Sequence, residues 1–414
     1  MYALYVRCLR RGSLPVRKLP AVLMALILCL MPAARAAGVT IRTVSTFAGT
    51  DAAAGDYVEL LRAWEKETGN KVEDASATSD EAWKTGVLND FAAGNEADVL
   101  FYFAKTADSI PILKRVVPIS EINAAYPDLK LKENPFSAED DGVIYSIPVR
   151  PYWEGLFVNT DLFERYGLDL PTDWSKLEAA IKKFNEVGIV PISVSFADVP
   201  HYIVEFLIIA SGAPDAHRAR PATLDEVPDS WKEGMALLNK LYALGAFARD
   251  ASATTEAVTS QMFRDKKAAM QLDGSWFANG IPQDNWETTA VMPFPAYSEN
   301  AEPKAFIGGV SMGFYLSRQA WDDPNKRDAA VDLLSFLTSE ENGSRLRTFA
   351  FGGRLLESSY DLLANEQVML APIQDAMNAE ARSAWFARVP ALVDGTADPA
   401  LVWEEVMALH PFGK

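Results

Sequence analysis

Histidine is scarce in this 414-residue chain: His201, His217 and His410 are the whole supply, and the two cysteines are Cys8 and Cys29. Zinc sites need Cys and His at close spacing, which three scattered histidines do not provide. Glu139-Asp140-Asp141-Gly142 is acidic but lacks the alternating ligands of a calcium loop. Neither phosphate-cradling glycine motif occurs. No metal and no cofactor are therefore expected. Gly309-Val310-Ser311-Met312-Gly313 matches the G-x-S-x-G nucleophile elbow, which requires a strand-to-helix turn. Here the serine sits inside an alternating run from Phe306 to Leu316 with no helix directly after it, and the only downstream histidine is His410. A hydrolase is not expected. With 56 Asp and Glu, paired carboxylates carry no information by themselves.

What stands out is the placing of aromatics beside loop signals. Tyr102-Phe103, Tyr152-Trp153-Glu154, Trp276 and Trp385-Phe386 fall at the ends of expected elements and not at helical core spacing. Flat rings beside polar side chains suit sugars, which offer apolar C–H faces and rings of hydroxyls. A carbohydrate-active enzyme with a carboxylate pair remains the alternative, since glycosidase clefts combine the same residue types.

The elements that must position these residues alternate between strand and helix. Val39–Ser45 has the strand period, and Tyr57, Leu60, Leu61 and Trp64 mark a helix over 53–68. A second helix over 81–93 leads to an apolar strand over 97–103, and parallel sheets carry ligands at such carboxyl ends. Val143–Val149 reads as a strand whose Pro148, with Pro151 after it, suits a crossing between domains, with Tyr152-Trp153-Glu154 on it. Strands follow at 156–159, 189–196 and 268–272, with helices at 160–166, from Pro171–Ser175 to about 187, 201–210, 229–244 and 254–265. Val291–Pro295 is broken by two prolines and is expected to be the second crossing. Phe306–Leu316 reads as one strand, 328–338 as a helix, and the tail from Asp361 as mainly helical. No internal repeat or low-complexity tract is present.

Residues 1–36 carry six basic side chains and no acidic one, with an apolar run Ala21–Met31 too short for a permanent membrane span and then Ala34-Arg35-Ala36. This reads as an export signal cleaved after Ala36. Both cysteines leave with it, so the mature protein has no thiol to oxidise. Lipid anchoring at Cys29 is disfavoured by the bulky Leu28, and a free periplasmic protein is expected. The formal charge of −17 would repel nucleic acid, which is excluded as a partner.

Tyr145-Ser146-Ile147-Pro148-Val149, then Leu156-Phe157-Val158-Asn159-Thr160-Asp161-Leu162-Phe163, Pro171-Thr172-Asp173-Trp174, Phe263–Leu272 with Asp273-Gly274-Ser275-Trp276, and the glycine pair Gly308-Gly309 together carry a resemblance. In their order and spacing the chain resembles the family 1 extracellular solute-binding proteins of bacterial ABC importers, the maltose-binding-protein-like group, over essentially its whole mature length. Asp265-Lys266-Lys267 lacks the glycine usual there. The resemblance implies an α/β, two-lobed periplasmic-binding-protein fold of type II, with a ligand cleft between lobes joined by hinge crossings. The N-terminal lobe would take 37–149 plus about 294–345, and the C-terminal lobe about 150–293 plus 346–414. It further implies a monomer that captures a di- or oligosaccharide for an importer's permease subunits. Family sites map onto Phe47, Thr50, Asp51, Tyr102, Phe103, Tyr152, Trp153, Glu154, His201, Tyr202, Trp276, Gly309, Arg354 and Trp385. Arg150 and Arg354 could hold an acidic sugar, although Arg150 could equally pair with a carboxylate.

Overall fold

Ten strands occur among the described residues: β1 (Thr40–Val44), β2 (Lys71–Asp74), β3 (Val99–Phe103), β4 (Tyr152–Asn159), β5 (Val190–Ser193), β6 (Ala268–Gly274), β7 (Thr289–Met292), β8 (Ala305–Gly309), β9 (Met312–Leu316) and β10 (Val368–Leu370). They come from a computed structural model that describes residues 38–413, without Thr50, Pro135, Phe136, Asp140, Ser311, 348–350, Asn365 and Glu366. The expected signal segment with Cys8 and Cys29, the site candidate Thr50 and the elbow serine Ser311 lie outside the described residues.

The strands form two sheets. One has the order β2-β1-β3-β9, with β9 antiparallel to β3; the other runs β10-β8-β4-β6-β5, with β7 also on β4. Helix Ala54–Thr68 buries Tyr57, Leu60, Leu61 and Trp64 against the first sheet and stops at Gly69, whose left-handed φ of 78° a side chain would disfavour. Asp80 starts helix Glu81–Ala93 by accepting the Trp83 amide at 2.7 Å, which removes one of the unpaired donors of the first turn. Over the second sheet, helices His201–Ser211 and Asp229–Ala243 meet closely at Gly234, where a Cβ would lie 2.6 Å from the Ile208 backbone. Trp231 and Trp385 each pack tilted against Trp403, ring centres 4.9 and 5.2 Å apart, and the three fill the core at helices Ala379–Val393 and Pro399–Met407.

Three chain passages join the two sheets, and two differ from expectation. The first is Val149–Pro151: Tyr152, Trp153 and Glu154 are not on the crossing but begin β4. Val143–Val149 makes only isolated bridges, at Ile144 and Ile147, since Pro148 has no N–H to extend a ladder. The run Phe306–Leu316 is two strands in different sheets, β8 pairing with β4 and β10, β9 with β3. The return to the first sheet is therefore between Gly309 and Met312, not at Pro293–Pro295. Alternation continues across the break, so periodicity could not reveal it; Gly308 is the clue, because a Cβ there would come within 3.1 Å of the Tyr152 carbonyl oxygen. The third passage follows Leu346, which packs on the first sheet, and precedes Phe351, which packs under the second. β10 escaped sequence reading because three residues show no period.

Candidate functional site

The carboxyl ends of β1, β2, β3, β5 and β6 deliver loops and helix starts to one place between the sheets. With the first residues of β4 they enclose a cavity of about 170 Å³, far above the ~10–15 Å³ that holds one water. One wall brings Thr46, Ala48 and Asp51 after β1, Thr78 to Glu81 after β2, Phe103 at the end of β3, and Met312. The other brings Tyr152 and Glu154 of β4, Asp198 to Tyr202 around a helix start, Trp276, and Gln374 and Asp375 of the short turn Ile373–Ala376.

Aromatic rings pave the second wall. Trp276 lies 6.3 Å from Tyr152 and 6.0 Å from Tyr202, tilted to both by under 40°. Its indole folds back over Gly274, where a Cβ would come within 2.3 Å of the ring, so the glycine makes room for the tryptophan. His201 stacks on Phe386 at 5.0 Å. Burial pushes the His201 imidazole down to about 3, with Lys84 adding to the effect, so it is neutral at ordinary pH.

The charges are unevenly matched. Arg150 forks onto Asp51 at 2.6 and 3.3 Å and lies over the Phe47 ring at 4.8 Å. Lys84 bonds Glu81 at 2.8 Å and sits 4.7 Å from the centre of Phe103. Burial would raise the Glu81 carboxyl, but Lys84 and Arg382 outweigh it and hold it below the usual carboxylate range. Glu154 is 5% exposed and its carboxyl is raised well above that range, first by burial, then by Asp375, Glu205 and Asp273. Burial likewise raises Asp375 to about 6 and Glu256 to about 7.

Behind Glu154, Glu205 accepts the Gln374 amide at 3.0 Å and lies 3.7 Å from His217, whose Nε2 meets the Ala371 carbonyl at 3.0 Å. Burial pushes Glu205 up to about 8 and His217 down to about 4. A carboxyl with a raised folded pKa holds a proton that the unfolded chain has released, so its stabilising contribution is lost as pH climbs toward that pKa. Between about pH 6.5 and 8.5 Glu205 should cost the fold about 2 kcal/mol, offset in part by His201 and His217, which are neutral in the fold but about half protonated in the unfolded chain at the lower pH. Chemical denaturation at the two pH values measures this, and Glu205→Gln should flatten the slope; an unaltered slope would contradict the assignment.

The two walls also touch directly. Arg382, on helix Ala379–Val393 and 1% exposed, reaches across to Glu81 at 2.9 Å and to Asp108 at 3.0 Å. Beside it the Ala107 amide donates to the Asp375 carbonyl at 2.8 Å. The crossings alone do not set the angle between the sheets.

Residues 46–344 match the model of the bacterial extracellular solute-binding protein family. The chain belongs to that family. No curated protein matches it significantly. Among solved structures, a chitin oligosaccharide binding protein is similar at 19% identity, with 90% of this chain and 98% of that one covered and a TM-score of 0.78. A sugar transporter protein from Bacillus licheniformis, in complex with stachyose, is similar at 17% identity over 90% and 99%, TM-score 0.70. The solute-binding protein RafE, in complex with raffinose, is similar at 17% over 90% and 98%, TM-score 0.71. At such identities these likenesses establish the fold.

In this solute-binding protein Asp51, Phe103, Tyr152, Glu154, His201, Tyr202 and Trp276 come together on the cavity. The other described candidates do not. Phe47 is buried under Arg150, stacked on Phe101 at 4.7 Å. Tyr102 points to the core against Trp83, because neighbours on a strand face opposite ways and Phe103 takes the cavity side. The same alternation sends Trp153 to the back of β4, stacked on Phe157 at 5.7 Å. Trp385 is core beside Trp403, one helical step from Phe386, which does line the cavity. Gly309 is not on the lining; it pairs with Tyr152 in the register of β8 and β4. Arg354 is 45% exposed and lies 3.6 Å from Glu164, outside the cavity. Sequence reading missed Thr78 to Glu81, Lys84, Glu256, Gln374 and Asp375, although a helix start after β2 was a fair place to look.

Proposed function

We propose that this solute-binding protein is exported, takes a di- or oligosaccharide into the cavity between its sheets, closes around it and presents it to the permease subunits of an ABC importer. The observation that carries this is the aromatic face of Tyr152, Trp276 and Tyr202 set beside Glu154 and opposite Phe103: apolar ring faces and hydroxyl acceptors in one enclosed space. The sugar ligands of the similar solved proteins support it. The three chain passages allow closure, and a ligand touching both walls gains its full contact energy only when they meet.

Thermal-shift screening against neutral, amino and acidic sugars, amino acids and peptides tests the reading. A bound sugar at about 100 times its Kd should stabilise the fold by about 2.7 kcal/mol. A shift with amino acids or peptides and none with any sugar would reject it, and release of product from chromogenic glycosides would favour the enzyme alternative.

A further inference from the structure

We propose that the solute carries a protonated amine beside its hydroxyls, so that this protein selects an amino sugar or a similar amine-bearing carbohydrate, with the amine seated at Glu154. This rests on the carbohydrate reading above and narrows it. Both cations on the cavity wall are already taken, Arg150 by Asp51 and Lys84 by Glu81. The Glu154 carboxyl is different. It is 5% exposed, lines the cavity, and has no hydrogen-bond or ion-pair partner among the described residues.

The groups around it deepen the mismatch. β6 brings Asp273 behind the register pair Glu154↔Gly274, helix His201–Ser211 brings Glu205, and the turn Ile373–Ala376 brings Asp375. The charged groups that act most on Glu154 are these three carboxyls. Gln374 lines the same side of the cavity. Burial and these neighbours favour the protonated form of the Glu154 carboxyl, and its charge is regained only beside a cation or several donors. A neutral hydroxyl supplies one donor and no charge. An ammonium supplies three donors and the charge, and the faces of Tyr152 and Trp276 next to it favour a cation as well. An acidic sugar would add a further negative group, and the two arginines that might have held it are placed elsewhere: Arg150 is spent on Asp51 and Arg354 is on the outside with Glu164.

Calorimetric titration at neutral pH with matched sets tests the proposal: the β-1,4-linked glucosamine disaccharide, its N-acetylated form and cellobiose, and likewise glucosamine, galactosamine and mannosamine with their acetylated and parent hexoses. Acetylation removes the charge at the same position. In at least one set the free amine should bind about tenfold or more tighter than both counterparts, and Glu154→Gln should reduce that advantage to within about twofold. The wild-type comparison stands whether or not the variant folds. Neutral members binding as tightly as the amine overturn the amine seat and leave the carbohydrate reading intact. An amine advantage that survives in folded Glu154→Gln overturns the placement at Glu154. Binding by no member of any set overturns the amine proposal, while the wider screen above judges the carbohydrate reading separately.

Discussion

Trp276→Ala is expected to weaken binding of the sugar by about 2–4 kcal/mol while leaving the melting curve intact, because it removes a stacking face and a wall that excludes water. Trp153→Ala is expected to do the reverse. That indole is fully buried on Phe157 and packs edge-on to Phe351, so its loss leaves a cavity and should cost about 3–5 kcal/mol of fold stability. Calorimetry and denaturation of both variants separate the roles. Equal affinity of Trp276→Ala and wild type would show that Trp276 merely packs, and a stable Trp153→Ala that has lost only affinity would put the wrong face of β4 in the cavity.

Arg382→Ala is expected to loosen the contact between the walls. Glu81 keeps Lys84, but Asp108, 4% exposed, is left as a buried carboxylate without a cation. Removing one partner of such a group costs about 3–5 kcal/mol, and swinging the walls apart is the cheapest way to return Asp108 to water. Solution scattering of the ligand-free variant should give a larger radius of gyration than wild type, and sugar affinity should fall, since binding must now supply the closure that Arg382 stabilised. Arg382→Met with Asp108→Asn should recover part of both. Unchanged scattering and affinity in Arg382→Ala would show that the ion pairs do not govern the angle.

The aromatic doublets show what the sequence could tell. Each of Tyr102-Phe103, Tyr152-Trp153 and Trp385-Phe386 does mark the cavity, yet in each only one member faces it: Phe103, Tyr152 and Phe386. On strands the alternation of two settles the choice once the phase is known, but both faces of β4 are apolar, Leu156 and Val158 on one and Phe157 on the other, so the sequence left it open. On the helix one residue turns the side chain by about 100°, and the apolar neighbours do not fix the phase. Strands and most helices were legible because burial of one face forces a period. The passage between Gly309 and Met312 was not, since alternation runs straight through it. Nor were Arg382 and Glu81, whose meeting depends on segments 301 residues apart. The carboxyl cluster around Glu154 is equally a product of tertiary packing, from β4, β6, helix His201–Ser211 and the turn after β10.

A crystal structure of the protein grown with the sugar that gives the largest thermal shift tests the central claim most directly. The account predicts a sugar ring stacked on Trp276 between Tyr152 and Tyr202, with a donor on Glu154 and contacts to Phe103 from the facing wall. A sugar bound anywhere else on the molecule, with this cavity filled by water alone, would contradict it.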